Sequence, residues 1–146
     1  MKTLFYTFRT NKHIPIFTNE GICLFTFGKL KEDFKKFEAL IEKEKPTYII
    51  GIAEVKTKTR IELKAVNNFG KVGKVSKNGK DSYILYIPSE SVFTISKGYI
   101  TSFCNWAMYK ISELTEGKDI KNSFVHFNES DIPQLITLLK KTSPHL

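Results

Sequence analysis

The chain has 146 residues, 41% of them hydrophobic and 13% aromatic, which is enough apolar side chain for a core and excludes a disordered polypeptide. No run approaches the ~18 consecutive apolar residues of a membrane span. Two cysteines, Cys23 and Cys104, are too few for a disulfide scaffold, so a reducing, cytoplasmic setting is expected. Lys and Arg number 23 against 15 Asp and Glu, a formal charge of +8; this balance favours anionic partners but does not specify a fold.

In chain order, residues 3–8 (TLFYTF) and 21–27 (GICLFTF) read as short strands rich in β-branched and aromatic side chains. The opening residues lack a small-residue cleavage site and are read as strand, not as a secretory leader. Cys23 falls inside the second strand and is expected to be a buried packing residue. Residues 29–44 carry Leu30, Phe34, Phe37, Leu40 and Ile41 on one helical stripe, with Lys and Glu interleaved on the other face and Pro46 at the end. Residues 47–53 (TYIIGIA) form a continuous apolar run, as in a buried parallel strand, so strand, helix and strand suggest a βαβ crossover. Residues 60–66 (RIELKAV) alternate as a strand with one solvated face. Residues 70–88 read as a hairpin with Asn78-Gly79 as a type I′ turn. A short strand at 92–96, a helix at about 102–114, a strand at 123–127 and a helix from about Asp131 follow. Asp131 and Gln134 have capping-box spacing in that last helix.

No repeat, low-complexity tract or linker divides the sequence, so a single α/β domain over 1–146 is expected, with a mixed, mainly parallel twisted sheet flanked by helices. Lys71, Lys74, Lys77 and Lys80 are the one local concentration of positive charge. On a hairpin without interleaved aromatics they suit a protected edge better than a nucleic-acid platform. A basic nucleic-acid-associated module, using these lysines and Arg60, is therefore the third-ranked function.

Chemistry-bearing residues are few. Cys104 is placed in the first turn of a helix, where unpaired N–H groups and the dipole favour a thiolate. His126 ends an apolar strand, at the carboxyl edge where open α/β sheets hold their ligands. Glu62 alternates with Ile61 and Leu63 on a strand. No His, Cys, Asp or Glu group has metal-ligand spacing, so neither a metal nor a cofactor is expected.

These residues sit in a recurring context. The stretch G-I-A-E-V-K-T-K-T-R-I-E-L-K-A-V-N (51–67), with Glu62, Ala65 and Asn67, resembles a segment of the pyroglutamyl peptidases (pyrrolidone-carboxylate peptidases), a family of cysteine peptidases. F-C-N-W-A-M-Y (103–109) resembles that family's nucleophile motif, and S-F-V-H-F (123–127) the strand presenting its histidine. The chain looks like an abbreviated, divergent member. The resemblance implies a phosphorylase/hydrolase-like fold and a peptide substrate with a blocked N-terminus, from which a pyroglutamyl or related small acyl group is removed. It implies Cys104 as nucleophile, His126 as base and Glu62 as the group orienting it, with Phe8 and Asn67 in substrate binding. It leaves a homo-oligomer open and calls for no membrane. Of the family's N-terminal motif Thr7-Phe8-Arg9-Thr10 keeps Phe8, and an Arg usual after the Glu motif is replaced by Val72. A non-catalytic relative that binds a peptide or protein partner is the alternative.

Overall fold

Alternation between apolar strands and one-faced helices forces a layered arrangement, because each element buries only one face or stripe. The computed structural model describes residues 2–143. Its strands are β1 (Thr3–Phe8), β2 (Leu24–Phe27), β3 (Tyr48–Glu54), β4 (Arg60–Ile61), β5 (Lys64–Val66), β6 (Ser82–Ile84), β7 (Thr94–Ile95) and β8 (Lys121–Phe127). Its helices are α1 (Ile14–Asn19), α2 (Leu30–Glu44), α3 (Phe103–Thr115) and α4 (Ile132–Lys141). Six strands form one sheet in the order β2-β1-β3-β8-β4-β7, while β5 and β6 form a separate antiparallel pair. The first four strands of that order run parallel, and β4 is antiparallel to β8. The sheet is thus mixed and mainly parallel, as the sequence pattern predicts.

The sheet's two faces bury different sets. Tyr6, Phe8, Phe27, Phe124 and Phe37 pack under α2 and α3, together with Trp106 and Ala107. Phe5, Ile50, Ile52, Val125 and Phe127 pack on the other face with Phe17 of α1 and Leu135 and Leu139 of α4. The α2 stripe is the predicted one, with Phe37 and Ile41 buried. Asp33 closes its start by accepting hydrogen bonds from the Gly28 and Lys29 amides at 2.7 and 2.8 Å. Gly51 has a packing reason: a Cβ there would stand 2.3 Å from Tyr6 Cζ, so the tyrosine ring lies directly over the β3 backbone.

Several expectations are corrected. Residues 70–88 do not form a hairpin with itself. Residues Gly70–Val72 make a 3-10 turn, and β6 pairs instead with β5. Neither Asn78 nor Gly79 has the positive φ that a type I′ turn needs. Asn67 outcompetes the turn, donating to Ser76 O at 2.7 Å and accepting from Ser76 N at 2.8 Å. The expected strand at 60–66 breaks at Glu62 and Leu63, so its halves join different sheets. Helix α1 has no counterpart in the sequence reading, since six residues are too few to show a period. Cys23 lies just before β2 and is exposed, not buried. The Asp131 carboxylate caps nothing in α4; it accepts from Thr59 Oγ1 at 2.5 Å, tying the 55–59 loop to the helix start.

Candidate active site

Strand alternation sends the side chains of Phe124 and His126 to the same side of β8. Their rings lie 4.9 Å apart, and Phe124 belongs to the cluster that contains Cys104. The chain reverses after β3, so β4 returns antiparallel alongside β8 and sets Arg60 directly opposite His126. Two residues on, Glu62 points to the same face, and its amide continues the ladder by donating to Phe124 O at 2.9 Å. The result is a buried bond of 2.6 Å between Glu62 Oε2 and His126 Nδ1. Glu62 is 1% exposed and His126 4%. The same Oε2 accepts from Arg60 Nε at 2.9 Å, and Arg60 Nη1 reaches Thr57 Oγ1 at 3.3 Å.

Burial pushes the Glu62 carboxyl up, but the His126 hydrogen bond and the charges of His126 and Arg60 prevail and hold it below its ordinary value. A carboxylate fixed on Nδ1 selects the ring tautomer whose lone pair is on Nε2. Nε2 has no hydrogen-bond partner among the described residues.

Cys104 is the second residue of α3, whose amino end is stitched down by Asn105. That side chain is fully buried, accepts from Val66 N at 2.9 Å, and donates to Val66 O and Asn68 O at 2.8 and 2.9 Å. The sequence places Asn105 in the nucleophile motif but gives it no role, because its partners Val66 and Asn68 lie almost forty residues away. Cys104 is only 4% exposed. Burial pushes it up to about 12; the Ser102 hydroxyl opposes, the Glu62 charge adds to the rise, and Arg60 works against it. The thiolate expected from the helix terminus is thus overruled in the resting structure, where desolvation exceeds the dipole. No hydrogen bond joins the Cys104 sulfur to the His126 ring among the described residues. Glu62 and His126 are brought together, and Cys104 lies on their face within reach of the Glu62 and Arg60 charges.

Phe8 is buried, stacks edge-on against Phe103 at 4.9 Å between ring centres, and helps line a cleft of about 240 Å³ with Arg9, Thr10, Phe27, Gly28 and Leu30. The Asn67 amide is taken up by Ser76, as described above. A larger cavity of about 520 Å³ lies at the opposite, amino end of β1, around Lys2–Phe5 and Cys23. Elsewhere at the carboxyl edge, His13 Nε2 stands 2.9 Å from Glu54 Oε2 and 3.6 Å from Glu129 Oε2. One ligand atom from each of the three residues lies within 4.8 Å of the others, close enough to hold a metal ion. No spacing reveals this group, because its members come from three separate segments. Among the described residues, no helix is long and apolar enough to cross a membrane.

Neither a protein-family profile nor a curated protein sequence matches the chain. Solved structures do. Pyroglutamyl peptidase I from Bacillus amyloliquefaciens superposes with a TM-score of 0.72 at 16% identity, over 94% of this chain and 90% of that one. Pyrrolidone carboxyl peptidase from Thermococcus litoralis gives 0.66 at 20% identity, over 88% and 77%. A mutant pyrrolidone carboxyl peptidase from Pyrococcus furiosus gives 0.66 at 19%, over 97% and 95%. The fold of this chain is that of the pyroglutamyl peptidases.

Proposed function

We propose that the chain is a cysteine amide hydrolase that removes a pyroglutamyl or related small acyl group from a peptide N-terminus. The observation that carries this reading is the buried Glu62–His126 bond on the sheet face that also holds Cys104. His126 Nε2 takes the thiol proton as the sulfur attacks the carbonyl carbon, and Glu62 stabilises the imidazolium that forms. The imidazolium returns the proton to the departing amine, leaving a thioester on Cys104. Water, activated by the same imidazole, hydrolyses the thioester to the free acid and regenerates the thiol. Backbone amides at the amino end of α3, beside Cys104, are the natural donors to the developing oxyanion. The cleft beside Phe8 and Phe103, about 240 Å³ and mostly apolar, suits a small ring better than an extended chain.

The test is release of aminomethylcoumarin from its pyroglutamyl amide. Cys104→Ala and His126→Ala should each lower kcat by at least about a thousandfold, and Glu62→Gln by about a hundredfold or more. A parent protein no faster than buffer, or a Cys104→Ala variant as fast as the parent, refutes the reading.

A second reading rests on the thiol itself. Cys104, 4% exposed, with its thiol pushed up to about 12 and unbonded to His126, also fits a non-catalytic relative that binds a peptide. Binding of a pyroglutamyl peptide without cleavage, measured by fluorescence anisotropy, selects it.

A further inference from the structure

Arg60 lies within the 51–67 stretch but is not one of the residues that carry the resemblance, Glu62, Ala65 and Asn67, yet it makes a direct charged contact with the candidate centre. It is the cross-strand partner of His126, and both donate to one oxygen, Glu62 Oε2, at 2.9 and 2.6 Å. Its guanidinium is half anchored, by Glu62 on one side and Thr57 Oγ1 on the other, and its side chain is 26% exposed. A carboxylate oxygen receiving two donors is held in its charged form. A guanidinium keeps its charge at every relevant pH, and a second cation directly across the strand pair is disfavoured. Cys104 from α3 also feels the Glu62 charge, and Tyr6 from β1 faces Cys104 in turn; both are neutral acids at pH 7, while His13 and Glu54 pair with each other.

We propose that Arg60 is a positioning residue of this centre, a fixed counter-ion that keeps Glu62 charged while biasing His126 toward its neutral form, with Nε2 free to accept a proton. This rests on the reading of Cys104, His126 and Glu62 as a hydrolytic centre. Arg60 then lets the carboxylate orient the imidazole without trapping it as a permanent imidazolium. It supplies positive charge from β4, upstream of Glu62, in a chain that has Val72 where the resemblance calls for an Arg downstream.

The experiment is an NMR titration of the His126 ring nitrogens in the full chain, assigned with His126→Gln. The variants are Arg60→Gln, Arg60→Lys, and Arg60→Met, which keeps the packed stem should the glutamine variant not fold. A unit charge about 5 Å away at an effective dielectric of about 20 is worth about two pH units, and partial exposure roughly halves it. The His126 midpoint should therefore rise by about one pH unit, tenfold in proton affinity, in the Gln or Met variant. It should stay within about 0.3 unit of the parent in Arg60→Lys, which restores the charge. An unmoved or lowered midpoint without the charge, or a Lys variant that moves as far as the Gln one, overturns the proposal. The titration needs no substrate. An unshifted midpoint in an active parent refutes Arg60's role alone, and an inactive parent with the shift intact refutes only the hydrolase reading.

Discussion

A thiol that the fold keeps protonated makes stability depend on alkaline pH, and the size of the effect follows from the structure. Cys104 is 4% exposed and pushed up from 9.0 to about 12. Above pH 9 the unfolded chain sheds this proton while the folded chain keeps it, so the unfolded state gains free energy relative to the folded one. The sign is a loss of stability as pH rises, beginning near 9 and levelling off near 12. At pH 10 the unfolded thiol is about nine-tenths ionised and the folded one about a hundredth, a difference of about 1.4 kcal/mol. Buried Tyr6 and Tyr109 and partly buried Tyr48 are raised too, so the parent's pH dependence alone does not isolate Cys104. Cys104→Ala does, because it keeps the tyrosines and deletes the thiol. Urea unfolding of both proteins at pH 7 and pH 10 should show the parent losing about 1.4 kcal/mol more than the variant over that interval. Equal losses would mean that Cys104 ionises as easily folded as unfolded. The argument that burial outweighs the helix terminus would then be wrong.

Glu62→Gln keeps the shape of the side chain but removes the charge between His126 and Arg60, and should cost about 2–3 kcal/mol at pH 7 in urea unfolding. Because Glu62 is held below its ordinary 4.5, its contribution is present above that pH and fades as pH falls through the folded value, so the gap between parent and variant should narrow in acid; a gap constant from pH 7 to 3 contradicts it. Lys45 ends α2 in the left-handed region at φ 48°, where glycine is unstrained, so Lys45→Gly should stabilise by about 0.5 kcal/mol in thermal unfolding, and a loss would refute this.

What the sequence made legible is what one element carries by itself. The 29–44 stripe and the 47–53 run announce α2 and β3 because their burial is written in local periodicity. His126 at the end of β8 was readable for the same reason. Several misreadings come from partners outside the local pattern. Asn67 draws Ser76 out of a hairpin that local turn chemistry favours, and Glu62 leaves the regular strand to meet a histidine 64 residues away. Cys104 shows the limit for chemistry: its place at a helix start is visible in the sequence, but the aromatic wall that desolvates it is assembled from β1, β8 and α2. Arg60 reads from the sequence as one more cation among 23, suited to a nucleic-acid-associated role, because its partner His126 lies on a distant strand.

Strand β8 lies between β3 and β4, though it follows both by more than fifty residues in the chain. During synthesis, the sheet's middle is therefore the last of its strands to emerge. Until residues 121–127 arrive, β3 presents an unpaired inner edge, and Arg60, which can already pair with Thr94 of β7, lacks His126 opposite it. The sheet cannot grow by adding neighbours outward; it closes by insertion, after a large loop has been paid for in entropy. The Glu62–His126 bond forms at that insertion, so the centre and the completed sheet come into being in one event. A nascent chain thus has no partly built active centre, only an open sheet that has not yet received its middle strand.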